Sequence, residues 1–239
     1  MRYAFLIICF MCFISGCSKP DAKTIVDKSV AFYNMEKLQN ATLEFDFRNF
    51  KFKAMQLNGK FVYERSFSDS TGQIHDILSN DSFKRMVNGK ELKLDAEQAA
   101  KYAQAVNSVI YFVYLPLKLN DPSVIKKYLG ESSIKNKSYY KLEVRFEQKG
   151  GGQDHDDVFY YWFDKEDYSM DHFAYSTGGN RFRQVMGSHK VSGVTFQDYI
   201  NYEAPEGDSL TPLIKYDSLF TKGKLKELSR IEIKNIRLN

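Results

Sequence analysis

Cysteine is confined to the first seventeen residues of this 239-residue chain, as Cys9, Cys12 and Cys17. From Ser18 onward there is none, which excludes a disulfide framework, a cysteine-ligated metal and a cysteine nucleophile from that part. Proline is scarce, with 5 residues, and tryptophan occurs once. No apolar run reaches the roughly 20 residues that a membrane-spanning helix needs. Neither sign of charge dominates: 34 Lys and Arg against 30 Asp and Glu leave a formal charge of +4. So small a surplus, spread along the chain, lacks the clustered basic residues of a nucleic-acid surface, and no nucleic-acid partner is expected. Gly-x-Ser-x-Gly, Walker, His-Glu-x-x-His, Gly-x-Gly-x-x-Gly and EF-hand patterns are missing, so no cofactor is expected either. Catalytic residues scattered along a sequence leave no such trace. What abounds is aromatic: 19 Phe and 16 Tyr.

The first residues give an address. Arg2 supplies a positive start, and the apolar run from Ala4 to Ile14 fits the central part of a secretory signal. It ends in Ile14-Ser15-Gly16-Cys17, which resembles the lipobox of bacterial lipoproteins. Small residues admit the peptidase, and the thiol accepts diacylglycerol. The expectation is a lipoprotein signal peptide over residues 1–16, an acylated Cys17 with a short tether over 17–22, and a single domain over 23–239. Each buried methylene contributes about 0.8 kcal/mol, so a multiply acylated Cys17 anchors the chain to a membrane. By the same resemblance, Ser18 in place of Asp after the cysteine implies the outer membrane; the leaflet stays open.

The rest reads as mainly β with inserted helix. Asp21 caps a helix to about Leu38, with Ile25, Val26, Val30 and Tyr33 on one face. From Thr42 the period is two, and the apolar parity flips after Phe47 to Phe50 and Phe52, which predicts a bulge near Asn49. Asn58-Gly59 and Asn88-Gly89 are two-residue hairpin signals. Asp95 and Gln98 form a capping box for a central helix, Ala96 to Tyr114, that is apolar enough to be largely buried. Strands follow near 124–134, 138–147, 157–164, 168–176, 181–190 and 194–202, then a helical piece near 213–221 and a last strand near 226–237. Their short connections make neighbours antiparallel, a meander that curls toward a barrel.

That order of elements resembles the LolA/LolB and LppX lipoprotein superfamily. Locally, Leu119-Asn120-Asp121-Pro122, Tyr128-Leu129-Gly130, Gly150-Gly151-Gly152, Tyr160-Tyr161-Trp162-Phe163 and Phe196-Gln197-Asp198-Tyr199 are similar to a group of Bacteroidetes-type lipoproteins. The resemblance implies an α+β fold: a curved antiparallel sheet forming a half-open barrel, whose concave face is covered by an N-terminal and a central helix. It also implies an acyl-chain-like ligand held in that concavity.

Rigid aromatics on a curved sheet supply a physical basis for such a cavity. The candidate lining is Phe45, Phe47, Phe61, Tyr63, Val106, Ile110, Tyr160, Trp162 and Tyr175. A polar constellation competes with it. Gln153-Asp154-His155-Asp156-Asp157 follows three glycines, Asp171-His172 lies on the next strand, and Arg181 and Arg183 on the one after. Carboxylates around an imidazole offer a divalent-cation site or a general base, and the two guanidiniums fit a phosphate or carboxylate headgroup. A solvated hairpin tip is the plainer account of that loop. His75 and His189 read as surface or half-buried strand residues. Three functions stay open: a lipid-anchored carrier, a hydrolase or metal-dependent enzyme, and a module that binds another envelope protein.

Overall fold

A computed structural model describes residues 20–147, 157–205 and 211–239. The first helix, α1 (Ala22–Tyr33), is capped by Asp21, whose carboxylate accepts from the Thr24 amide at 2.8 Å. Ile25, Val26, Val30 and Tyr33 are its buried apolar face, as the spacing requires.

Two open, seven-stranded antiparallel sheets follow. The first contains β1 (Thr42–Phe47), β2 (Phe50–Leu57), β3 (Lys60–Asp69), β4 (Gly72–Ser79), β5 (Phe83–Val87) and the short β6 (Lys90–Glu91). Helix α2 (Ala96–Val113), capped by the expected Asp95–Gln98 box, then carries the chain to the far edge of the second sheet. There β7 (Val124–Ile134), β8 (Lys137–Phe146), β9 (Phe159–Asp164), β10 (Met170–Tyr175), β11 (Arg181–Val191) and β12 (Val194–Glu203) run as a meander. After α3 (Tyr216–Thr221) come β13 (Lys226–Ile231) and β14 (Ile233–Leu238).

The last two strands join the sheets. β13 pairs with β12 in the second sheet, β14 pairs with β1 in the first, and Glu232 alone separates them. Asp198 fastens this joint: its carboxylate accepts from the Ile233 amide at 3.0 Å and meets His189 Nε2 at 2.6 Å. The outer edges, β6 and β7, are left apart, and α2 lies on the concave side against β3, β4 and β5. Phe112 of α2 stacks on Phe173 of β10, 5.6 Å between centroids, so the helix touches both walls. This is the half-open, mainly β architecture that the element order implied.

Four sequence expectations change: α1 ends at Tyr33 and not near Leu38, the last strand divides at Glu232 into β13 and β14, and two further readings are replaced. The parity flip after Phe47 is a two-residue hairpin, Arg48-Asn49, with Phe47 opposite Phe50, and not a bulge. A two-residue loop shifts parity by one just as a bulge does, and Arg48 accepts the left-handed φ of 58° that such a turn demands. Helix α2 is also less buried than its composition implied: only Val106 and Ile110 are fully covered, and Ala96, Glu97, Gln98 and Lys101 are exposed. Alanine favours the helix whether or not it is buried, so an alanine-rich half does not require a covering layer.

The inner face of the first sheet holds a buried ion cluster. Arg65 and Arg85 each turn the Nε–Nη2 edge of the guanidinium toward the Asp76 carboxylate, at 3.0 and 2.6 Å and at 2.6 and 2.9 Å. Arg85 also lies 3.3 Å from the centre of the Tyr102 ring of α2. Removing one partner from such a cluster strands the others in a dry environment. Asp76→Ala is expected to destabilise the fold by about 3–5 kcal/mol, read as a lowered urea midpoint, whereas Glu91→Ala on the exposed edge should leave the midpoint in place.

Candidate functional site

The two walls and α2 do not fill the space beside the joint. A pocket of about 270 Å³ remains there. Its lining comes from five places: Val109, Phe112 and Val113 of α2, Tyr175 of β10, Arg183 of β11, Gln197, Tyr199 and Asn201 of β12, and Ile231 and Ile233 of the crossing strand. Phe47 and Arg48 close it from the first sheet, and Ser108 and Ser229 complete it. The period of two explains the second wall, since Gln197, Tyr199 and Asn201 alternate inward and Arg183 sits directly opposite Asn201.

Polar residues make up a large part of this lining: Arg48, Ser108, Arg183, Gln197, Asn201 and Ser229, together with Tyr175 and Tyr199. Tyr199 gives its hydroxyl proton to Gln197 Oε1 at 2.9 Å, and burial raises its phenol well above the ordinary range. Gln197 donates to the Tyr33 hydroxyl of α1 at 2.7 Å, which ties the pocket floor to the N-terminal helix. Arg183 is buried, with its guanidinium over Phe112 at 4.2 Å and beside Tyr175 at 5.0 Å and Phe173 at 5.3 Å. Its Nη2 donates to the Tyr175 hydroxyl at 2.8 Å, and its Nε has no acceptor. No carboxylate lines the pocket among the described residues.

A second void of about 70 Å³, lined by Tyr111, Phe146, Phe159 and Thr177, lies beyond Phe112 and also reaches Ser108. An open trough of about 850 Å³ sits outside the barrel, rimmed by Lys51, Ser66, Ser68, Gln73, His75 and Met86. Most of those residues alternate with the inward Arg65 and Asp76 and so lie on the outer face, and Phe67, Ile74 and Ile77 add apolar surface to the trough.

A sequence family described as a family of unknown function (DUF6503) matches residues 1–233. The chain belongs to that family. No curated protein matches it. Among solved structures, a LolA superfamily protein from Nitrosomonas europaea superposes with a TM-score of 0.53 at 10% identity, over 92% of this chain and 94% of that one. A DUF1329 family protein from Desulfovibrio piger gives 0.42 at 12% identity, over 92% and 93%. The lipoprotein LppX from Mycobacterium tuberculosis gives 0.28 at 9% identity, over 65% and 87%. The fold of this member of the DUF6503 family is therefore LolA-like.

The structure distributes the sequence-predicted lining over three environments. Phe47 and Tyr175 line the pocket. Phe45, Tyr63, Val106 and Ile110 pack into the core between the sheets, and the half-buried Phe61 stacks on Tyr63 at 4.4 Å. Tyr160 and Trp162 point away from the concavity, into a second cluster under α3. There Trp162 Nε1 and Lys141 Nζ both donate to Asp217, at 3.2 and 2.6 Å. Alternation along β9 showed that both its faces are aromatic but not which one faces α2. Val109, Phe112, Tyr199 and Asn201, which also line the pocket, are not among the lining candidates that the sequence offers. Phe112 carried a signal, as a bulky residue on the helix expected to cover the concavity.

The polar constellation separates as well. His155 and Asp156 lie outside the described residues. Asp157 accepts from Ser176 at 2.7 Å and Thr177 at 2.5 Å, beyond one end of β10. Asp171 sits near the other end of that strand and is held by Lys137 at 2.8 Å, Ser169 at 2.8 Å and Tyr139 at 3.1 Å. Arg181 lies 3.8 Å from Glu203. No group of three or more His, Cys, Asp or Glu that could hold a metal occurs among the described residues.

His172 belongs to the α3 cluster, its ring 5.4 Å from those of Tyr139, Phe182 and Phe220, and its Nδ1 has no partner. Burial pushes its imidazole down to about 4. The unfolded chain, with an imidazole near 6.5, binds a proton that the folded one refuses until about pH 4. Stability therefore falls as pH drops from about 6.5 to about 4, by about 3 kcal/mol, and the loss levels off below that. His172→Phe is expected to flatten this part of the acid limb, as measured by urea titrations between about pH 7 and about pH 4.

Proposed function

We propose that this protein is a lipid-anchored component of the cell envelope that holds a hydrophobic, acyl-chain-like ligand in the pocket between α2 and the joint of its two sheets. The address rests on the lipobox: residues 1–16 are removed, Cys17 is acylated and held at the outer membrane, residues 17–22 form the tether, and 23–239 form the binding domain. One observation carries the binding role. Among the described residues the concave space is largely packed with aromatic and aliphatic side chains, and beside the joint about 270 Å³ stays open between α2 and the two sheets.

That volume falls just below the usual range of ligand pockets, about 300–1,000 Å³. It suits a single aliphatic chain and not a multiply acylated lipid. The void of about 70 Å³ beyond Phe112 continues the same apolar surface, with Phe112 as the partition. The LolA-like fold supports this reading, since its concave face is where a ligand fits. Among the described residues, Asp157, Asp171 and His172 do not converge as the hydrolase reading requires.

The test uses the whole chain carrying Cys17→Ala, so that its own lipid does not compete. It is expected to bind the lipophilic dye N-phenyl-1-naphthylamine in a single saturable phase and to release an aliphatic molecule into organic solvent. Ser108→Trp, which fills the pocket from α2, is expected to weaken dye binding about tenfold or more while circular dichroism is unchanged. An unmodified pocket that takes up no dye and yields no extractable molecule would overturn the proposal.

A further inference from the structure

We infer that the pocket's ligand ends in a carboxylate, and that Arg183 is the residue that receives it. This deepens the reading above and rests on it. The inner faces of the two sheets carry three buried arginines, Arg65, Arg85 and Arg183. The first two present the same edge of the guanidinium, Nε with Nη2, to one carboxylate, Asp76. On Arg183 that edge is only half used: Nη2 meets the Tyr175 hydroxyl at 2.8 Å and Nε meets nothing. The protein thus shows, twice within itself, the partner that the third edge lacks.

Burying a guanidinium without an anion is costly, and the three rings around Arg183 offset only part of that cost. Removing a buried arginine of this kind from a plain core would relieve strain on the fold, so its presence calls for a partner from outside. Asn201, directly opposite on β12, leaves its side-chain oxygen without a donor. Turned over, the same amide offers its NH₂ to an anion beside Arg183. A second guanidinium, Arg48, stands at the rim over Phe47 at 5.1 Å. With no acidic residue in the lining, a cationic headgroup finds no counter-charge, and a neutral one leaves Nε unmatched.

A carboxylate is favoured over a phosphate on two counts. One buried guanidinium balances one negative charge, and the planar fork matches two coplanar oxygens. The ligand class is then a medium-length aliphatic acid, its head at Arg183 and its chain along Val109, Phe112, Ile231 and Ile233.

Calorimetric titration of the whole chain with Cys17→Ala tests this, using dodecanoate, dodecanol, dodecyl phosphate and dodecyltrimethylammonium. Dodecanoate is expected to bind about 10- to 100-fold more tightly than dodecanol and more tightly than the other two. Arg183→Met should bring dodecanoate down to the level of dodecanol without changing dodecanol. Where Arg183→Met does not fold, Arg183→Lys carries the test and should narrow the ratio several-fold. Equal binding of dodecanoate and dodecanol, or an unchanged ratio in these variants, overturns the assignment but leaves the acyl pocket. Tighter binding of dodecyl phosphate overturns the carboxylate in favour of a phosphate. Failure of all four to bind overturns the pocket reading itself.

Discussion

The two sheets face each other because two consecutive strands, one in each sheet, are joined by a single residue. Lys226–Ile231 completes the ladder of the second sheet and Ile233–Leu238 completes that of the first, with Glu232 as the turning point. A backbone that changes sheets needs its amide at the bend satisfied, and Asp198 does this for Ile233 while holding His189. Given that joint, both apolar inner faces must look into one space, and helix α2 is the element that fills it. The pocket follows from the geometry of the joint. Walls that diverge from a shared joint leave room next to it that a straight helix cannot reach.

Charge inside this space is arranged asymmetrically. On the first wall one carboxylate serves two guanidiniums; on the second a guanidinium has a phenol and three rings but no carboxylate. All three guanidiniums belong to buried residues, where screening is weaker than at the surface. The first arrangement is a finished structural cluster that also grips α2 through Tyr102. The second is an unfinished one facing the only apolar space the described residues leave at the joint.

Much of the architecture was legible because it is written locally. Asn58-Gly59 and Asn88-Gly89 make their hairpins with left-handed backbone at both positions, and Asp95 with Gln98 starts α2 where a capping box should. What was misread depended on partners distant in the chain. The parity flip after Phe47 has two geometric solutions, and pairing with β2 selects the hairpin. Tyr160 and Trp162 were placed in the cavity because alternation leaves the direction of each face undetermined; α3, more than fifty residues later, decides it through Asp217. The pocket was the least legible part, since its lining comes from β1, α2, β10, β11, β12 and the crossing strand at once. Arg183 was visible as an anion-binding residue, but its distinction from Arg181, which has Glu203, needed the fold.

The second sheet is clamped on both faces, and this bears on which side of the pocket can yield. Its outer face is sealed by α3, where Trp162, Phe182 and Phe220 pack together and Lys141 bonds to Asp217 and to the Ile214 carbonyl. Its inner face is tied to α1 through Tyr33, which accepts from the Met170 amide and from Gln197. Helix α2 is held mainly by ring contacts, Phe112 on Phe173 and Tyr175, Tyr111 on Phe146 and Tyr102 on Phe83, and its first turn is exposed. Low burial and few long-range bonds mark the elements that open at least cost. Arg183 and Asn201 therefore sit on the clamped wall of the pocket, with α2 and its Phe112 partition facing them.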